Sequence, residues 1–265
     1  RSVSRGLGDV YKRQAVEFHS EQMPNVENCP LLGMELSRFD YIIAEAGYRL
    51  VAEQVLRNFP GEVILFGDDE FVFGPWHQVF FDYRPGMRKA LEHLMKMGFR
   101  KALVVGVPTL STSQHRYTAL CEMADQRGFG SANLAFPVPE EYFFHLPVLC
   151  GREYGKLFLK EFKCDTAIFS LSDHLTVGVL DVLYEHGLKP GRDVQLISYD
   201  NFLSNVPEFK ERFFCNAVTH PLSCEFRAIV KLMSEIHLAP NPDFYRSIVV
   251  PAQEFIVRTD GPRAR

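Results

Sequence analysis

Residues 164–201 read CDTAIFSLSDHLTVGVLDVLYEHGLKPGRDVQLISYDN. An apolar run over 166–171 stops at Ser172-Asp173. Behind it Leu175, Val179, Val182 and Leu183 recur at helical spacing, with Gly187 as the stop and Pro190-Gly191 as a turn. A second apolar run, 194–199, ends at Asp200-Asn201. The unit is strand, helix, strand, with polar residues at the carboxyl end of each strand. In open α/β sheets ligands bind outside those ends, so Ser172, Asp173 and Asp200 are directed at a small-molecule site.

Working outward, the same alternation recurs. Strands are expected at 16–19, 40–44, 63–66 and 79–81, and helices near 26–38, 48–58 and 86–97. A second series begins near Lys101. It holds a strand at 102–105, a helix at 113–127, a loop rich in proline and aromatics at 136–149 and a helix at 153–162. After the opening unit, a strand at 217–220 and a helix at 224–236 are expected to return to the first lobe. Strands at 248–250 and 255–257 would finish the sheets. Alternation of this kind argues for parallel sheets covered by helices.

Composition sets the class. The chain has 265 residues, 46% hydrophobic and 23% charged, which is ordinary for a soluble globular protein and enough for two lobes with separate cores. No run reaches the roughly 18 apolar residues of a membrane span. The cysteines at 29, 121, 150, 164, 215 and 224 form no C-x-x-C pair and no metal-ligand spacing. They read as free thiols in a reducing compartment, with no metal and no cofactor implied. No G-x-S-x-G, P-loop or G-x-G-x-x-G occurs, which argues against an enzyme.

Several stretches carry a resemblance when taken in order. They are DYRPGMRKALEHLMKMGFR (82–100), His115-Arg116 followed by Ala119-Leu120, the Leu-Ser-Asp and Ser-Tyr-Asp of the opening unit, and PAQEFIVRT (251–259). Each is weak alone. The ordered set, over about residues 39–260, resembles the effector-binding half of LacI/GalR-type transcriptional regulators, whose fold is shared with periplasmic sugar-binding proteins. The resemblance implies an α/β, two-lobed, periplasmic-binding-protein-like (type I) fold, each lobe a parallel sheet flanked by helices. Residues 15–100 would form the N-terminal lobe, without its first strand and helix, completed by about 220–242. Residues 101–216 would form the C-terminal lobe, completed by about 248–260. Crossings between the lobes are expected near 98–101, 215–219 and 242–248.

The first fourteen residues, RSVSRGLGDVYKRQ, look like an in-frame translation of a sequencing-library adapter and are left out of the fold argument. On that reading the natural chain starts upstream of Ala15. The segment carries a net charge of +3, so the body of the chain moves from -4 to -7 without it. An acidic body is a poor nucleic-acid surface.

The resemblance also places candidate ligand contacts. Arg116 matches a ligand-contacting arginine, and its planar fork of donors suits vicinal hydroxyls or a carboxylate. A salt bridge is its structural alternative. Asp200, at a strand end, can accept two hydroxyl protons, or it can serve a turn. Ser172 stands where the family has asparagine. Asp173 reads as a helix N-cap as well as a contact. His220 matches a position often held by glutamine, and Asp82 is expected to hold a loop at the cleft mouth. Trp76 offers a stacking face, with loop packing as its alternative.

The function implied is the ligand-sensing, dimerising domain of a cytoplasmic transcriptional regulator. A small-molecule effector such as a sugar would bind between the lobes. Operator DNA would be met only through an upstream domain, in a homodimer with no membrane contact. A periplasmic solute-binding protein feeding a transporter is the alternative on the same fold.

Overall fold

The computed structural model describes residues 35–45, 56–67, 74–107, 111–133, 146–161, 166–210, 212–219, 222–240, 244–252 and 254–259. The adapter-like segment, the expected strand at 16–19, most of the helix at 48–58 and His220 lie outside them.

Two sheets are present among the described residues. The first contains β1 (Tyr41–Glu45), β2 (Glu62–Gly67), β3 (His77–Asp82) and β9 (Ser247–Pro251), parallel throughout in the order β1-β2-β3-β9. The second contains β4 (Lys101–Val105), β5 (Gly130–Asn133), β6 (Thr166–Ser170), β7 (Leu196–Asp200), β8 (Asn216–Thr219) and β10 (Phe255–Ile256). Its order is β10-β8-β7-β6-β4-β5, with only β10 antiparallel. The helices are α1 (Arg84–Lys96), α2 (Ser111–Asp125), α3 (Pro147–Glu161), α4 (Asp173–Glu185), the short α5 (Pro207–Lys210) and α6 (Leu222–Leu238).

The opening stretch folds as read. Every residue of β6 is buried, as expected of a central parallel strand covered on both faces. Helix α4 ends as its sequence requires. Gly187 adopts φ +71°, which lets its N–H reach the Tyr184 carbonyl while the Leu188 N–H reaches that of Leu183. Helix α3 lies so close to α4 that a Cβ on Gly178 would sit 2.0 Å from the Val148 carbonyl oxygen.

The chain's path between lobes differs from expectation in two places. Strand β8 pairs with β7 and stays in the second sheet, so that crossing comes after Thr219. Helix α6 and β9 both belong to the first lobe, α6 packing on β2, β3 and β9. The last crossing therefore comes between β9 and β10, rather than near 242–248. Of the 248–260 segment assigned to the second lobe, only the part from β10 onward reaches its sheet. Helix α1, placed in the first lobe by its position in the chain, also packs on α2 and β8. These outcomes depend on strand pairing between distant segments, which local periodicity does not encode. The crossing segments are knitted by Ala252 N–H to the Asp82 carbonyl, 2.9 Å, and Thr219 N–H to the Glu254 carbonyl, 3.0 Å.

Candidate functional site

A cleft of about 270 Å³ lies where strand ends of both sheets meet. The second lobe contributes Thr112 and Arg116 from α2, Asp200 from the end of β7, and Phe202 just beyond it. The first lobe contributes Glu45, Phe66, Gly67 and Phe81 from the ends of β1, β2 and β3. Tyr83, Leu222 and Glu225 line it from the start of α1 and the first turn of α6. These are carboxyl ends of strands and amino ends of helices, the standard ligand location in such folds. A larger depression of about 480 Å³, near Tyr184, Lys189, Arg192 and Phe214, is more open and lies away from those strand ends. The smaller cleft is the better candidate because polar groups converge in it.

Arg116 and Asp200 form its polar centre. The guanidinium grips the carboxylate bidentately, Nη1 to Oδ2 at 3.0 Å and Nη2 to Oδ1 at 2.7 Å, and Nη1 also donates to the Leu171 carbonyl at 2.7 Å. Its Cζ lies 4.1 Å from the Tyr199 ring centre and 5.7 Å from that of Tyr83. The two rings pack edge to face at 5.6 Å. Burial works against the charged form of Arg116, but the Asp200 carboxylate together with Tyr83 and Tyr199 outweighs it and the guanidinium is held charged. Arg116 Nε is buried and makes no hydrogen bond among the described residues.

The backbone that presents Asp200 is unusual. Asp200 and Asn201 have φ of +89° and +64°, the only positive values at non-glycine residues among those described. Asp173 holds this turn. Its carboxylate accepts the Asn201 and Leu203 N–H groups at 2.9 Å each and the Ser198 hydroxyl at 3.0 Å. Arg258 adds a 2.7 Å bond to the Asn201 side-chain oxygen. Burial, then the nearby Asp200 charge, raises the Asp173 carboxyl to about 6 against the pull of those three donors.

The remaining described candidates, Ser172, Asp173, Asp82 and Trp76, lie outside the cleft wall. The residue at the N-cap of α4 is Ser172, without a side-chain capping bond, and Asp173 is the first helical residue. Asp173 therefore does not cap its own helix. It braces the neighbouring loop. The Ser172 carbonyl accepts the Ser170 and Thr176 hydroxyls at 3.0 and 2.9 Å. Asp82 accepts the Arg84 N–H at 3.1 Å and its Nη1 at 3.0 Å, holding the start of α1. Trp76, at 2% exposure, packs in the first-lobe core with Ile42, Leu56 and Leu65 and offers no stacking face.

Sequence reasoning missed the aromatic wall of Phe66, Phe81 and Tyr83, and also Glu225. The aromatics carried a signal, since each lies at or just past a predicted strand end. Glu225 carried none. Among the described residues no three His, Cys, Asp or Glu side chains are placed to hold a metal, and no helix is long and apolar enough to cross a membrane.

No family model matches the chain. It is 24% identical over 127 residues to the lactose operon repressor of Escherichia coli (strain K12), covering 48% of this chain and 34% of that protein. It is 29% identical over 119 residues to the HTH-type transcriptional repressor PurR of Actinobacillus pleuropneumoniae serotype 3 (strain JL03), covering 44% and 33%. The match thus spans about a third of the length of these curated relatives. Among solved structures, a LacI family transcriptional regulator from Enterococcus faecium with bound ribose superposes with TM-score 0.67 at 20% identity, covering 87% of this chain and 83% of that one. A LacI family regulator from Arthrobacter sp. FB24 in complex with lactose gives 0.66 at 19%, covering 85% and 80%. A dimeric Lac repressor with a C-terminal deletion gives 0.68 at 15%, covering 91% and 85%. The fold is the two-lobed, periplasmic-binding-protein-like fold of these regulators.

Proposed function

We propose that this chain, similar in sequence to LacI-type repressors and sharing their fold, is the ligand-sensing domain of a cytoplasmic transcriptional regulator. A small hydroxyl-bearing metabolite binds between the lobes, and the intact protein meets operator DNA through a separate segment, as a homodimer. The observation that supports this reading most is the Arg116–Asp200 pair at the centre of the cleft. It offers donors and acceptors from one lobe to a ligand whose other side rests on the first lobe. A ligand that prefers one relative placement of the lobes then shifts a two-state equilibrium, and operator affinity moves by the differential affinity.

The experiment is operator binding by the full-length regulator with and without a ligand found by calorimetry on this chain. A shift of about fivefold or more in operator affinity is expected. A ligand that binds tightly and leaves operator affinity unchanged removes the sensor reading.

A further inference from the structure

The second lobe has another hollow, at the opposite end of its strands from the cleft. It is the depression of about 480 Å³ at the amino ends of β7 and β8, bounded by the last turn of α4 and by the chain beyond β10. Two rings line it, Tyr184 at 37% exposure and Phe214 at 50%. A single exposed ring needs no explanation. Two rings in one hollow offer faces on which a further flat ring stacks.

The charge of this hollow is the reverse of the chain's. The chain has 29 Lys and Arg against 33 Asp and Glu, whereas the hollow is lined by Lys189, Arg192 and Arg258 and by no carboxylate. Asp193, outside the lining, offsets one of the three cations. It accepts Arg192 Nε and Nη2 at 2.9 and 2.6 Å and the Lys189 backbone N–H at 2.9 Å. Glu185, next in the chain to Tyr184, is held by Arg152 at 2.8 Å. Arg192 Nη1 and the Lys189 ammonium make no hydrogen bond among the described residues. A guanidinium fixed along one edge and open on the other suits a carboxylate or phosphate.

Arg258 joins the hollow to the cleft. Besides lining the hollow, its guanidinium donates to the Cys215 carbonyl at 3.0 Å and to the Asn201 side-chain oxygen at 2.7 Å. Asn201 is the second residue of the left-handed turn that presents Asp200. An anion competes with that neutral amide oxygen for the guanidinium, and a charged acceptor makes the stronger bond.

We infer that this hollow is a second binding site, for a small anion borne on a flat ring, and that Arg258 conveys its occupancy to the turn holding Asp200. The site stands independently of the ligand-sensor reading.

The test titrates the 265-residue chain in calorimetry with 4-hydroxybenzoate and with phenyl phosphate, which separate the carboxylate and phosphate forms of such a ligand. Phenol supplies the ring without the charge, and acetate and inorganic phosphate supply the charge without the ring. At least one ring-borne anion is expected to bind about tenfold or more tighter than either of its controls. Lys189→Ala and Phe214→Ser, both on the surface, are each expected to weaken it about fivefold or more, with the circular dichroism of the parent. Equal affinity for ring anions and controls, no binding, or binding that neither substitution changes overturns the site. Amide exchange then reads the link. The bound anion is expected to change the exchange rates of Asn201 and Leu203, whose N–H groups Asp173 holds, by about threefold or more. Asn201→Gly, which keeps the positive φ and removes the side-chain oxygen, is expected to bind the anion within about twofold of the parent and to lose this response at Leu203. Binding with no exchange response in the parent chain, or a response that survives in Asn201→Gly, overturns the role of Arg258.

Discussion

The two sheets meet at one cleft but are built differently. In the second sheet β6 is buried along its whole length and β7 is buried up to Asp200. In the first sheet β1 and β9 have exposed or half-exposed residues over most of their length. The polar machinery follows the same division. Arg116, Asp200 and the Asp173 brace all belong to the second lobe, while the first supplies the rings of Phe66, Phe81 and Tyr83 with two carboxylates, Glu45 and Glu225. A rigid, doubly covered sheet can hold an ion pair and a left-handed turn in place. In the first sheet the exposure is confined to the outer strands, and the rings of the cleft wall stand on β2 and β3, which are mostly buried.

Substitutions can break or sharpen this contrast. The largest effect is expected from Arg116→Met, which leaves the partly buried Asp200 without its partner. The loss should be about 3–5 kcal/mol in urea unfolding, together with loss of ligand binding. A stability change below about 1 kcal/mol would mean that the second lobe does not depend on the pair. Next comes Gly178→Ala. Its Cβ would meet the Val148 carbonyl oxygen at 2.0 Å, so α3 and α4 must separate, at a cost of about 3 kcal/mol. A near-neutral result would show that the helix contact is looser than described.

Asp173→Asn is expected to cost about 1–3 kcal/mol, because an amide cannot accept all three donors. It also has a pH signature. The folded-state pKa of about 6 lies above the ordinary 3.8, so the folded protein holds a proton that the unfolded chain has lost. The contribution of Asp173 to stability is then fullest below about pH 4 and declines as pH rises through about 6. The asparagine variant should lack this decline, and parallel profiles in variant and parent would refute the assignment. The smallest effect belongs to the first lobe. His77 and Glu62 lie 3.2 Å apart, with Glu62 37% exposed, and Glu62→Gln should cost less than about 1 kcal/mol in thermal unfolding. Burial lowers the His77 pKa, with Glu62 opposing it. The stability His77 contributes is therefore present above about 6.5 and lost as pH falls below that. A loss of several kcal/mol in this variant would erase the contrast between the lobes.

The same contrast explains what was readable in advance. The strands of the second sheet appear in sequence as short apolar runs because both faces are covered, and their polar termini mark the site directly. Asp200 was found this way and Arg116, on a helix, through the family resemblance, and the structure brings them together. The outer strands of the first lobe were located too, but not their partners. The chain pattern at β9 is the same whether it joins the first sheet or the second. Asp173 shows a subtler limit. A carboxylate at a strand-to-helix junction reads as a cap, yet three donors from one neighbouring strand and loop capture it, because that loop has backbone N–H groups that must be satisfied.

By itself the sequence determined the alternation of strands and helices, the opening strand–helix–strand unit and the polar residues at its strand ends. Burial on one or two faces imposes a period that a short window reveals. Only the tertiary structure decided that Arg116 grips Asp200 across 84 positions of chain, that β8 and β9 join opposite sheets, and that Glu225 stands in the wall of the cleft. Those facts concern which distant surfaces meet. That is settled by the packing of whole elements, and no local pattern of residues records it.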